Sequence, residues 1–119
     1  MKFIIILLVT LSLNSKLNAQ SVKCEDLMQF LVTYGEEDEI PSYYLNSSWL
    51  YGVTAYTYND VIYVVAEIKA NEYSYNTNKY IFCGISTLDW MLFQLGDSET
   101  FSFGERFHKY IINYKCNCY

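Results

Sequence analysis

Tyr80-Ile81-Phe82-Cys83-Gly84-Ile85, running into Ser86-Thr87-Leu88-Asp89-Trp90-Met91-Leu92-Phe93-Gln94-Leu95-Gly96, is the stretch that decides the fold. Its first six residues have the aromatic and branched character of a strand. Ser86 then stands where a helix N-cap belongs, with Asp89 three residues on, a weaker relative of the Ser-x-x-Glu capping box. Leu88, Met91, Leu92 and Leu95 recur at i, i+3, i+4 and i+7, which predicts a helix burying that face. Gly96 supplies the stop. A second start signal follows at Ser102 with Glu105, a full capping box. Behind it Phe103, Phe107, Tyr110, Ile111 and Tyr114 form another apolar stripe. A strand followed by two capped amphipathic helices calls for a sheet on which the helices bury their faces.

Upstream, Ser48–Tyr58 and Val61–Lys69 read as two strands joined by the polar pair Asn59-Asp60, a tight-hairpin link. Ile62, Val64, Ala66 and Ile68 alternate onto one face of the second strand. Trp49, Tyr51, Val53 and Ala55 are expected to supply the matching face of the first. The Tyr-rich stretch 71–79 is a long loop or a widened hairpin end. The expected architecture is α+β: a three-stranded antiparallel β-meander with helices packed on one face, preceded by an N-terminal helix. That first helix spans Gln20 to Tyr34, with Cys24, Leu27, Met28 and Leu31 on one side and Gly35 as its stop. Glu36-Glu37-Asp38-Glu39 reads as a solvated loop, because it lacks the alternating ligands and turn glycine of a calcium site.

The first 19 residues read as an export signal. Lys2 gives the positive start, Phe3 to Leu13 an apolar run too short for a bilayer, and Ala19 a small residue at a cleavage boundary. The organisation is then residues 1–19 as signal, 20–47 as helix and acidic loop, and 48–119 as the main domain with a Cys-x-Cys tail. No membrane span is expected after cleavage, and the location is periplasmic or secreted. Loss of Lys2 and Lys16 leaves 6 basic against 13 acidic residues, or −7. Such a charge opposes general nucleic-acid binding.

Four cysteines, Cys24, Cys83, Cys116 and Cys118, are then disulfide candidates. Pairing Cys116 with Cys118 closes a strained ring, which leaves two connectivities, both tying the tail to the first helix and to the strand. Cys116-x-Cys118 with His108 does not have the spacing of a zinc site, so neither metal nor cofactor is expected. Chemistry is equally sparse. His108 is the one histidine, Glu105 lies one turn from it, and no phosphate loop or nucleophile elbow is present. Asn46-Ser47-Ser48 fits the glycosylation acceptor pattern. The 13 tyrosines read mainly as half-buried strand packing with a wet hydroxyl.

Across Ser48–Tyr114 the chain resembles the KTSC domain, a short module named for its place at the C-terminus of some lysyl-tRNA synthetases and also found alone in bacteria. Tyr80 and Phe82 fall on its Tyr-x-Tyr motif, with Phe for the second Tyr. Ile85-Ser86 falls on its Val-Pro step into a helix, without the proline. Ser102, Gly104, Phe107 and Ile111 match its Ser-x-Gly-x-x-Phe-Asn-x-x-Ile ending, with His108 in place of Asn. The resemblance implies a small binding module, with RNA binding as the activity proposed for the family. A patch of Arg106, His108, Lys109 and Lys115 would have to supply the phosphate contacts. The expected function is therefore a non-catalytic binding or interaction module of unnamed protein or small ligand. Its candidate residues are Tyr80, Phe82, Ser102, Gly104, Arg106, His108 and Lys109. The backbone amides at Ser102–Gly104 are expected to hold an anionic group. The alternatives are an RNA-binding module and a small hydrolase using His108.

Overall fold

The computed structural model describes residues 22–119, so the signal reading of residues 1–19 lies outside the described residues. The described chain is α+β, but its antiparallel sheet has four strands in the order β1-β2-β3-β4. These are β1 (Glu36–Ile40), β2 (Leu50–Tyr58), β3 (Val61–Lys69) and β4 (Thr77–Ile85). The helices are α1 (Cys24–Tyr34), the short α2 (Ser42–Leu45), α3 (Thr87–Leu95) and α4 (Phe103–Tyr110), closed by a 3-10 turn at Ile112–Tyr114.

The fourth strand is the acidic run. Glu36–Ile40 pairs with β2 from Glu36↔Thr57 to Ile40↔Val53. Its four carboxylates are exposed and only Ile40 is buried, so the side chains are solvated as a loop's would be while the backbone is paired on one edge. Charge of this kind guards an edge strand against adding further chains. The Asn59-Asp60 hairpin forms as expected, with both residues at positive φ as a type I′ turn requires.

Helices lie on both sheet faces rather than one. Val64 and Ala66, with Ile62 and Ile68, face α3 and α4 in a core holding Phe82, Ile85, Trp90, Phe93, Phe107 and Ile111. Of the stripe Phe103, Phe107, Tyr110, Ile111 and Tyr114, Phe107 and Ile111 are buried there and the other three pack partly buried against the same core, Tyr114 from the 3-10 turn. The alternate residues Tyr63 and Val65 face α1, whose Cys24, Leu27, Met28 and Leu31 pack with Tyr56 and Ile81 in a second core. Because side chains alternate, a sheet covered on both faces needs apolar residues at both phases.

Two bulges re-phase the strands. Between Leu50 and Gly52 the β2–β3 register shifts, so Leu50 and Val53, three apart, are both buried in the first core. Tyr51 is 47% exposed and is not part of the core face expected for it. At Gly84, φ +69° lets one residue bulge between Cys83 and Ile85, which returns Ile85 to the core beside Phe82. Helix α3 is also turned from its expected face. Leu88, Met91 and Leu95 are exposed, whereas Trp90 and Phe93 are buried. The helix is apolar nearly all round, and the two aromatics have the most area to remove from water.

The disulfides are Cys24–Cys118 and Cys83–Cys116, with Cα–Cα distances of 5.2 and 4.9 Å. They carry the tail along β4. Lys115 bridges Phe82, the Cys116 amide donates to the Ile81 carbonyl at 3.2 Å, and the Ile81 amide donates to the Tyr119 hydroxyl at 2.7 Å. The outer edge of β4 is thus covered by the chain's own end. Paired cysteines of this kind are compatible with an extracellular or periplasmic location. No helix among the described residues is long and apolar enough to cross a membrane.

Candidate functional site

Helix α4 begins with the capping box that its sequence spells. The Ser102 hydroxyl accepts from the Glu105 amide at 3.1 Å, and Glu105 Oε1 accepts from the Ser102 amide at 3.3 Å. The helix start expected to hold an anion therefore carries the carboxylate of Glu105. A second anion there would meet like charge, so the geometry opposes that expectation. Gly104 explains the next contact. A Cβ at this position would lie 3.2 Å from Trp49 Nε1, so only glycine lets the indole lie this close to the helix. Trp49 rests edge-on against Phe107 at 5.7 Å and tilted against His108 at 5.2 Å.

A hollow of about 330 Å³ opens between this end of α4 and the turn that links α2 to β2. Trp49 and His108 line it with Ser102, Glu105, Asn46 and Ser48. The turn is built by Asn46, which ends α2 in the left-handed region, and by Ser47, whose hydroxyl accepts from the amides of Trp49 and Leu50. Three of the sequence candidates, Ser102, Gly104 and His108, meet here beside Glu105. Trp49 and Asn46 were missed as site residues. By its alternation Trp49 reads as a core-face residue, and nothing in the spacing places residue 46 beside residue 105.

Tyr80 and Phe82 sit elsewhere. Phe82 is buried against Phe107 at 5.3 Å, and Tyr80 is half-buried under the Lys115 ammonium at 5.9 Å. With Ile68 and Ile112 they border a smaller recess of about 240 Å³. The two motif halves share the Phe107 ring but not one cavity.

The cations of α4 are engaged internally. Arg106 is only 7% exposed. Its Nε donates to the Phe93 carbonyl at 2.8 Å, and its Nη1 reaches the Phe101 and Thr100 carbonyls at 3.2 and 3.5 Å. The guanidinium also lies 4.2 Å over Phe103. Lys109 bonds Asp97 at 3.0 Å and Glu99 at 3.4 Å. Asp97 in turn accepts from the Tyr110 hydroxyl, the Thr100 amide and hydroxyl, and Lys109, in that order of effect. Together they hold its carboxyl well below the usual carboxylate range. The same contact raises Tyr110, and Asp97 raises Lys109. These residues brace the loop from Gly96 to Phe101, and they weigh against a phosphate-binding patch. Cys83 and the Cys116-x-Cys118 pair are all in disulfides, so they offer neither a nucleophile nor a thiolate ligand. No family model, no curated protein and no solved structure matches this chain.

Proposed function

We propose that this chain is an exported, non-catalytic binding module of KTSC type, and that its ligand enters the hollow between the Asn46–Ser48 turn and the start of α4. The observation that carries the reading is the Trp49–His108 pair, two rings inclined at 45° that line a 330 Å³ hollow together with hydroxyl, amide and carboxylate groups. A concave site with an aromatic wall and a few convergent polar groups is the usual form of a small-ligand site. The KTSC resemblance is supported by the work its motif residues do. Ser102 caps α4, Gly104 admits Trp49, and Phe107 and Ile111 are fully buried. Export is supported by the two disulfides and by the apolar start of the chain.

Binding is tested on the oxidised protein by following the Trp49 indole N–H resonance during addition of neutral glycans, nucleotides and single-stranded RNA. At least one probe is expected to shift it, with weaker binding in His108→Ala. A panel that leaves the resonance unmoved, or binding untouched by His108→Ala, overturns the assignment. Export is tested by intact mass of the chain recovered from its host. Cleavage after Ala19 and four oxidised sulfurs are expected; a retained Met1 with four titratable thiols on unfolding without reductant overturns it.

A further inference from the structure

We infer that the ligand is an uncharged oligosaccharide of at least two rings, laid across the Asn46–Ser48 turn; this rests on the hollow beside α4 being the binding site. A second hollow, of about 480 Å³, adjoins the first. Both are lined by Asn46, Ser47 and Ser48, so they occupy the two flanks of one turn. Each has its own aromatic wall. Trp49 and His108 serve the first, and Tyr43 and Tyr51 serve the second.

Tyr51 is where it is because of the bulge. Regular alternation back from Val53 would have put Tyr51 on the core face. The register shift between Leu50 and Gly52 buries Leu50 instead and leaves Tyr51 at the surface. Bulges are used to re-aim a side chain beside a site, and this one aims an aromatic ring at the second hollow. Tyr43 is exposed on α2 beside it.

The polar equipment selects the ligand class. The shared turn offers an amide and hydroxyls, groups that both donate and accept. The capping box uses Oε1 of Glu105, so Oε2 keeps its lone pairs for an incoming hydroxyl. The two hollows carry one carboxylate, Glu105, and one ammonium, Lys69. Arg106 and Lys109 are committed to carbonyls and to Asp97. A site with balanced charge, many neutral hydrogen-bonding groups and flat apolar rings suits a polyhydroxylated ring that stacks its C–H face and bonds at its rim. A nucleic acid would bring phosphates past Glu105 with a single lysine to meet them.

The test is calorimetric and NMR titration of the oxidised protein with methyl β-glucoside and with the di-, tri- and tetrasaccharides of the β-1,4-glucan, α-1,4-glucan and N-acetylglucosamine series. In one series affinity should rise roughly fivefold or more between one ring and three, the scale of one added aromatic contact. Tyr51→Ala, or Tyr43→Ala as a second variant on an exposed helix, should remove that gain with length. His108→Ala should weaken every length. Affinity independent of length, a gain that survives both tyrosine variants, or no binding of any neutral series at millimolar concentration overturns the inference. If instead a single-stranded RNA 10-mer or an anionic glycan shifts the Trp49 indole and His108→Ala abolishes the shift, the hollow stands as a site and only the ligand class is wrong. If none of these probes moves the indole, both readings fall.

Discussion

Replacing Arg106 by Met should cost about 3 kcal/mol, although the position was read from sequence as a ligand contact. The guanidinium is buried and donates to Phe93 and Phe101 carbonyls, with Thr100 at the limit of bonding distance. Phe93 lies in the last turn of α3, where carbonyls lack partners within the helix. That helix has no basic residue of its own in its last turn, so Arg106 of α4 supplies the cation its C-terminal end calls for. Each bond to a charged donor is worth about 1.5–3 kcal/mol, the dipole contact up to about 1, and the stacking on Phe103 about 1. These terms overlap, and Met recovers part of the packing, which brings the net to about 3 kcal/mol. For a chain of this size that is a fall in Tm of roughly 12–20 °C. Arg106→Lys keeps the charge but loses the two-armed geometry, so about half the loss is expected. Urea unfolding with disulfides intact measures both, and hydrogen exchange should localise the damage to the end of α3 and the loop from Gly96 to Phe101. An Arg106→Met protein within about 0.5 kcal/mol of wild type, the range of ordinary surface changes, would refute the bracing role.

Three further outcomes follow from the same geometry. The disulfides close loops of 94 and 33 residues, so Cys24→Ser/Cys118→Ser should destabilise by about 1 kcal/mol more than Cys83→Ser/Cys116→Ser in urea titration; the reverse order would contradict a loop-entropy origin. Gly104→Ala places a Cβ 3.2 Å from Trp49 Nε1, and should cost about 1 kcal/mol despite alanine's better helix propensity, with a shifted Trp49 indole resonance as the structural readout. Stability should be flat between about pH 4 and 10 and fall on both sides. The Asp97 pKa is depressed on folding, so its contribution is present above the unfolded value and lost as pH drops below about 4. Tyr110, Tyr56 and Tyr119 are raised, the first chiefly by Asp97 and the others chiefly by burial, so theirs are lost above about 10. Asp97→Asn should flatten the acid limb measured by urea midpoint against pH, and an unchanged limb would sink this assignment.

The parts of the fold legible in the sequence are those set by local chemistry. The Ser102–Glu105 box, the Asn59-Asp60 turn, the alternation of β3 and the stripe of α4 depend on neighbours within a few residues, and each forms as read. What was misread depends on partners far along the chain. The acidic run has a loop's composition, yet as an edge strand it needs a partner on one side only, and β2 provides it. The bulge at Tyr51 is invisible to a period-two reading, since nothing local marks where the register will slip. In α3 the aliphatic stripe and the pair Trp90 and Phe93 both have helical spacing, and only packing against Phe107 and Phe103 decides between them. The site was half legible for the same reason. Ser102, Gly104 and His108 lie on one turn of helix, whereas Trp49 and Asn46 reach them across 50 residues or more of chain.

Where a ligand can approach is constrained by how the sheet is closed. One face is roofed by α3 and α4 and the other by α1 with the disulfide-bound tail. The β1 edge presents Glu36, Glu37, Asp38 and Glu39, which repel an incoming acidic strand and leave it solvated. The β4 edge is occupied by Lys115, Cys116 and Tyr119, fastened there by Cys83–Cys116. With much of the faces and edges taken, concave surface remains in a few places, among them a groove of about 400 Å³ between α1 and β4, the recess beside Tyr80 and the turns that meet the helices. The Asn46–Ser48 turn is such a place, and it is also where β2 departs from regular pairing. A bulge that only relieved strain could have left any residue at Tyr51 outward. The residue there is an aromatic, beside Tyr43 and across the turn from Trp49, and the proposed oligosaccharide site draws on that placement.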